Sequence, residues 1–193
     1  MPRSREFNEE EILKKAMFLF WKQGYYDTSI KDLIAFLGIS NASIYNAFGG
    51  KKQLFYKAFE YYQQSNYQGL KHFLESQDNI KKGLSMAFQK LIHDDYADED
   101  CKGCFIVNTT TELLPNDKNV QRLVEQNRVR VESLFQAFLE KGVASGQLPA
   151  HKNTEVLARL LYTMMTGIRV LGKTKSAPSD TSATVDEMLL LLT

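Results

Sequence analysis

Leu37-Gly38-Ile39-Ser40-Asn41-Ala42-Ser43-Ile44-Tyr45-Asn46-Ala47-Phe48-Gly49-Gly50-Lys51 is the stretch on which the reading of this chain turns. A glycine follows an apolar run at its start, and a glycine pair closes it. Between them Ser40 is a good N-cap, and Ile44 and Phe48 recur at helical spacing, so the segment predicts a short helix from Ser40 to Phe48. Upstream, Thr28 is a cap candidate for another short helix, Ser29 to Leu37, whose buried stripe is Ile30, Leu33, Ile34 and Leu37. Two short helices joined by a turn containing Gly38 have the pattern of a helix-turn-helix.

In that motif the second helix presents its N-terminal residues to base edges in the major groove. Ile44 and Phe48 share one face and anchor the helix, which turns Asn41, Ala42, Ser43, Tyr45 and Asn46 outward. Their chemistry suits DNA: Asn pairs with adenine, Ser bonds bases or phosphates, and Ala is small enough to touch a thymine methyl. Tyr45 is a phosphate donor in this reading. Thr28, Ser29 and Lys31 at the preceding helix, Ser40 at the turn, and Lys51 and Lys52 after the glycine pair complete the candidate DNA-binding set. Backbone N–H groups at the helix start near Lys51 attract phosphate as well. The same pattern also fits a helical ligand-binding or adaptor module that does not read DNA.

Working outward, nearly the whole chain shows apolar residues at three- and four-residue spacing, with only 4 prolines in 193 residues. A first helix is predicted from Asn8 to Gln23, capped by Asn8 and ended by Gly24, and a long one from Lys51 to Leu74. Beyond about Asp78 a larger helical unit follows: Ile80–Asp95, Gly103–Leu114, Asn119–Gly142, Thr154–Lys173 and a short Thr184–Leu192. Thr174–Thr181 reads as a loop by composition. The fold class is all-α. Residues 1–50 form a three-helix DNA-binding domain, residues 51–193 a C-terminal helical bundle, and helix 51–74 connects the two.

Composition excludes several classes. Apolar residues are 44% and charged residues 24%, as in ordinary globular chains. The longest apolar run, Ala16 to Trp21, is far short of the roughly 20 residues a membrane span needs. The opening Met-Pro-Arg-Ser-Arg-Glu leads into no apolar signal region, so a cytoplasmic location is expected. Net charge is +1; residues 1–60 carry nine basic against seven acidic side chains, Arg3 and Arg5 among the basic ones, which is weak support for a polyanionic partner. No Ser/His/Asp constellation, phosphate loop or metal cluster points to catalysis, and no cofactor is expected. His72, His93 and His151 have no ligand spacing with the two cysteines, so no metal site is expected.

Taken with Gly24-Tyr25-Tyr26-Asp27-Thr28-Ser29-Ile30 before it and Leu54-Phe55 after it, the opening stretch resembles the N-terminal domain of the tetracycline-repressor (TetR/AcrR) family. Two departures stand out: Ile34 where the family often has Ala, and Asn46 where it often has His. The second means that base preference does not carry over. The resemblance implies a homodimer that binds a palindromic operator in double-stranded DNA, usually as a repressor. It also implies a C-terminal domain holding the dimer contact and a small-molecule inducer. Asn119–Gly142 and Thr154–Lys173 are apolar over much of their circumference and are expected to pair across a two-fold axis as a four-helix bundle.

For the inducer, the inward-facing candidates are Phe73, Phe88, Ile92, Phe105 and Asn108, then Thr109, Glu112, Tyr162, Met165 and Arg169. Glu112 and Arg169 stand out as charges in otherwise apolar helices, where burial requires a partner or a ligand; the plainer alternative makes most of the set core and puts these two on a solvated face. Cys101-Lys102-Gly103-Cys104 resembles one branch of the family, in which a Gly-Cys pair opens the sixth helix and some members sense electrophiles or oxidants. A thiol in a helix's first turn is activated by the dipole. The plainer alternative makes Cys104 a small buried apolar residue and Cys101 an incidental loop thiol.

Overall fold

The computed structural model describes residues 7–174 and 177–192; Arg3 and Arg5, and the Lys175-Ser176 start of the expected loop, lie outside them. Among the described residues there are nine helices and no strand: α1 (Glu9–Gln23), α2 (Ile30–Leu37), α3 (Asn41–Phe48), α4 (Lys51–Glu75), α5 (Ile80–Ala97), α6 (Phe105–Leu113), α7 (Lys118–Ala144), α8 (Thr154–Thr174) and α9 (Pro178–Leu190).

Local chemistry sets the ends. Asn8 caps α1, its side-chain oxygen accepting the amides of Glu10 at 3.0 Å and Glu11 at 3.4 Å. The cap of α2 is Ser29, not Thr28. Its hydroxyl accepts the Asp32 amide while the Asp32 carboxylate accepts the Ser29 amide, a reciprocal capping box. Helix α9 starts at Pro178, six residues earlier than composition indicated. Proline is pre-set for a first helical turn, and Thr181 shares a buried face with Val185, Met188 and Leu189, so the polar start is a solvated side of a helix.

Two cores hold these helices. The first gathers α1 to α3, the N-terminal half of α4, and Phe105, Leu113, Val120 and Leu123 from α6 and α7. Phe55 is its hub, edge-on to Phe20 at 5.1 Å and to Phe105 at 5.8 Å. A division at residue 50 therefore separates helices but not cores. The second core joins the end of α4 to α5, α7, α8 and α9 through Leu74, Leu84, Phe88, Phe135 and Val185. Helix α4, about 38 Å long at 1.5 Å per residue, runs through both. Among the described residues no helix is long and apolar enough to cross a membrane.

Candidate nucleic-acid interface and ligand cavity

Gly38, with φ 70°, closes α2 in a left-handed turn that suits glycine, and Ser40 opens α3 three residues after Leu37. Ile44 and Phe48 are buried and fix the helix on the first core. That leaves Asn41, Ala42, Tyr45 and Asn46 exposed. Ser40 and Ser43 are engaged with each other: the Ser40 hydroxyl accepts the Ser43 amide at 3.1 Å and lies 3.0 Å from the Ser43 hydroxyl. Lys31 and Ser29 are exposed at the start of α2. Thr28 does not fit the expected role. It is fully buried, and its hydroxyl donates to the Gly24 carbonyl at 2.6 Å, so it shapes the α1–α2 turn from inside.

Gly50 has φ 95°, and a Cβ there would lie 2.9 Å from the Tyr45 ring, so the turn into α4 requires glycine on both counts. The lysines beyond it are tethered. The Lys51 ammonium sits 4.3 Å from the Tyr25 ring centroid, where burial lowers its pKa. Lys52 pairs with Asp117 at 3.1 Å, and hydrogen bonding to Tyr56 and Asp117 holds it firmly protonated. Lys57, absent from the sequence-based set, lies 3.5 Å from the Ala47 carbonyl and over the Phe48 ring. Only the packing of α3 on α4 brings it there, so no local sequence signal marks it.

A cavity of about 630 Å³ opens between α4, α5, α6, α7 and α8. Of the inducer candidates, Phe73, Phe88, Tyr162, Met165 and Arg169 line it. Arg169 pairs with buried Asp95. The other candidates lie elsewhere. Ile92 is enclosed in the second core, and Phe105 in the first, against Phe55, Phe59 and Tyr62. Thr109 is fully buried. Asn108 donates to the Lys102 carbonyl at 2.7 Å and accepts from Lys173 at 3.1 Å. Glu112 reaches the α1–α2 turn instead. The error is one of helix phase: α6 is apolar on two sides, and its cavity side is Ile106, Val107, Thr110 and Thr111. Tyr62 and Tyr67 of α4 also line the cavity, and sequence reading missed them.

Helix α6 is fastened to the DNA-binding half at both ends. At its start the Trp21 indole donates to the Gly103 carbonyl at 2.9 Å, and Lys22 pairs with Asp100 at 2.9 Å. At its end Glu112 accepts the amides of Tyr25 at 3.0 Å and Tyr26 at 2.7 Å. Just beyond, Asp117 accepts the Tyr56 hydroxyl at 2.7 Å. Burial works to raise Asp117, but Tyr56, the α7 amides and Lys52 outweigh it and bring the carboxyl to about 2. Both cysteines are free thiols. Cys104 is the N-cap of α6, buried on the cavity wall with the Tyr62 hydroxyl 3.9 Å from its sulfur. Cys101 is half-buried in the loop before it, at φ 48°. Among the described residues no group of three or more His, Cys, Asp or Glu is placed to hold a metal ion.

Comparison with known proteins gives concordant matches. The bacterial regulatory proteins of the tetR family match residues 12–58, and the tetracyclin repressor-like C-terminal domain matches residues 88–185. The HTH-type transcriptional regulator YezE of Bacillus subtilis is 29% identical over 162 residues, covering 84% of this chain and 83% of that protein. The HTH-type transcriptional repressor ComR of Escherichia coli is 26% identical over 171 residues, covering 87% and 80%. The TetR family transcriptional regulator CifR, solved as a cysteine mutant complexed with 26-bp double-strand operator DNA, superposes with a TM-score of 0.88 at 26% identity, covering 100% of both chains.

Proposed function

Because this chain belongs to the tetR family of bacterial regulatory proteins, we propose that it is a homodimeric repressor that binds a palindromic operator and is released by a small molecule in its cavity. The observation that carries this reading is α3 itself: Asn41, Ala42, Tyr45 and Asn46 stand exposed together on a helix locked by Ile44 and Phe48. The two recognition helices of a dimer then enter successive major grooves about 34 Å apart. Exposed Val156, Val170 and Leu171 on α8, and Leu190 and Leu191 at the end of α9, support an apolar two-fold contact. Lys31, Ser29, Ser40 and Ser43 border the helix and take phosphates. Lys51 and Lys52 do so by leaving Tyr25 and Asp117. The protein acts on DNA in the cytoplasm as a regulator, not as a catalyst.

Release follows from linkage. A ligand that fits the cavity better at one separation of the two DNA-binding halves weakens binding at the other. A second route, thiol modification, is favoured by one observation, the position of Cys104 on the cavity wall. The test is an anisotropy titration against DNA from upstream of the protein's own gene at several salt concentrations. A repressor gives specific binding with a steep salt slope, and an adaptor gives none.

A further inference from the structure

We infer that the cavity takes an apolar-bodied carboxylate, an acyl or aryl acid whose head lies against Arg169. This rests on reading the cavity as the inducer site. The walls are apolar along Leu70, Phe73, Phe88, Val131 and Phe135, and polar groups converge at one pole. There α4 supplies the Tyr62 hydroxyl, 3.9 Å from the Cys104 sulfur of α6, and α8 supplies the Arg169 guanidinium within electrostatic reach of both. A mostly apolar chamber with a few convergent polar groups suits a ligand with one polar end.

The charges decide which polar end. Arg169 has a side chain 20% exposed, and its Nη1 donates to Asp95. That is one of five N–H donors on a guanidinium, and Arg169 lines the cavity. The other charged lining side chains are engaged: Lys90 pairs with Asp94 at 2.9 Å, and Arg128 with Glu125 at 2.5 Å and Glu132 at 2.7 Å, while Arg169 gives Asp95 a bond from Nη1. The lining carboxylate, Asp94, is held by Lys90, and Asp95, the carboxylate against Arg169, is buried outside the lining, so an ammonium at this pole would meet the guanidinium and no lining carboxylate. A carboxylate can take the free edge of the fork in two parallel hydrogen bonds, the geometry that guanidinium offers and ammonium does not. Asp95 is buried with Oδ2 unpartnered, and its hydrogen bond from Arg169 comes from Nη1. The N-terminal end of α6, whose cap Cys104 accepts no first-turn amide at its side chain, adds its dipole at the same pole.

The test uses the full-length protein and its single tryptophan, since the Trp21 ring lies 5.1 Å from the Tyr62 ring at this pole. Fluorescence titrations compare decanoate with 1-decanol and decyltrimethylammonium, and biphenyl-4-carboxylate with biphenyl-4-methanol. At least one acid is expected to bind about tenfold or more tightly than its alcohol, with the ammonium weakest; which acid wins separates acyl from aryl. Arg169→Met combined with Asp95→Asn should erase the acid preference while alcohol binding, which also reports that the variant is folded, persists. Val131→Phe, which fills the chamber, should remove both. Equal binding of acid and alcohol leaves the cavity reading standing and overturns this one. Preference for the ammonium, or acid binding that survives Val131→Phe, also overturns it. If no compound binds, both readings fall.

Discussion

The carboxylate of Glu112, in the last turn of α6, accepts the backbone amide of Tyr26 at 2.7 Å. Its second oxygen accepts the Tyr25 amide at 3.0 Å, and it packs so closely on Gly24 that an added Cβ would come within 3.1 Å. Glu112 thus satisfies two donors left bare at the turn between α1 and α2. The opposite side of α6, Ile106, Val107, Thr110 and Thr111, forms cavity wall. One nine-residue helix therefore touches both the cavity and the turn between α1 and α2. Two hydrogen bonds to a charged carboxylate thus join α6 directly to that turn.

Removing this fastening should separate stability from signalling. Glu112→Ala leaves both amides without their acceptor, and a loss of about 2 kcal/mol is expected for hydrogen bonds to a charged group. Urea unfolding measures it. Hydrogen exchange at Tyr25 and Tyr26 should accelerate in the same variant. Operator binding should weaken modestly, and release by ligand should weaken more. A variant with normal exchange at both amides and normal release would remove Glu112 from the route.

On α3 the exposed side chains divide by role. Asn41→Ala or Asn46→Ala should cost about 1–3 kcal/mol on the operator, and little on random DNA, if that side chain reads a base. Tyr45→Phe removes only a hydroxyl, so it should weaken binding evenly across sequences if Tyr45 holds a phosphate. Competition titrations with specific and random duplexes tell the two apart. A Tyr45→Phe loss confined to the operator would move Tyr45 to the base-reading group.

How much of this was legible in the sequence depends on how local each signal is. Asn8, Ser40, Gly24 and Gly49 cap within a few residues of themselves, and the helices they bound appear as read. The exposed face of α3 was legible because Ile44 and Phe48 are buried and fix its phase. Thr28 was misassigned because a buried threonine and a capping threonine look alike until the Ser29–Asp32 box is seen. The cavity was half legible. Arg169 was correctly suspected as a buried charge, but α6 carries apolar residues on two faces, and sequence alone does not say which core takes which. The Glu112 clasp, 86 residues from Tyr26, has no local signature at all.

Acid should loosen the junction between the two halves. The Asp117 carboxyl lies at about 2 in the folded chain, below its ordinary value of 3.8. A depressed carboxylate stabilises the folded state fully above its unfolded pKa, and that contribution is lost as pH falls through the folded one. Stability should therefore decline from roughly pH 4 down to pH 2. Asp117→Asn should lower stability at neutral pH and flatten this part of the profile. Thermal melts of both proteins across the range provide the comparison. Parallel profiles would mean that other carboxylates dominate acid unfolding.

The two thiols should be distinguishable by access. Cys101 is half-buried in the loop before α6, whereas Cys104 is 8% exposed and lies on the cavity wall. Reaction requires the thiolate and a path for the reagent. A bulky charged disulfide should modify Cys101 alone, while a small neutral maleimide should modify both. A compound seated in the cavity should slow the Cys104 reaction and leave Cys101 unaffected. Intact-mass time courses on the wild type, Cys101→Ser and Cys104→Ser resolve these steps. If thiol chemistry controls DNA binding, release should follow modification of Cys104, because it caps the helix that Trp21 and Glu112 hold against the DNA-binding half. Release that follows Cys101 instead would place the sensor in the loop, acting through the neighbouring Lys22–Asp100 pair. Release by an unreactive cavity ligand with both cysteines replaced by serine would leave the cavity alone as the control.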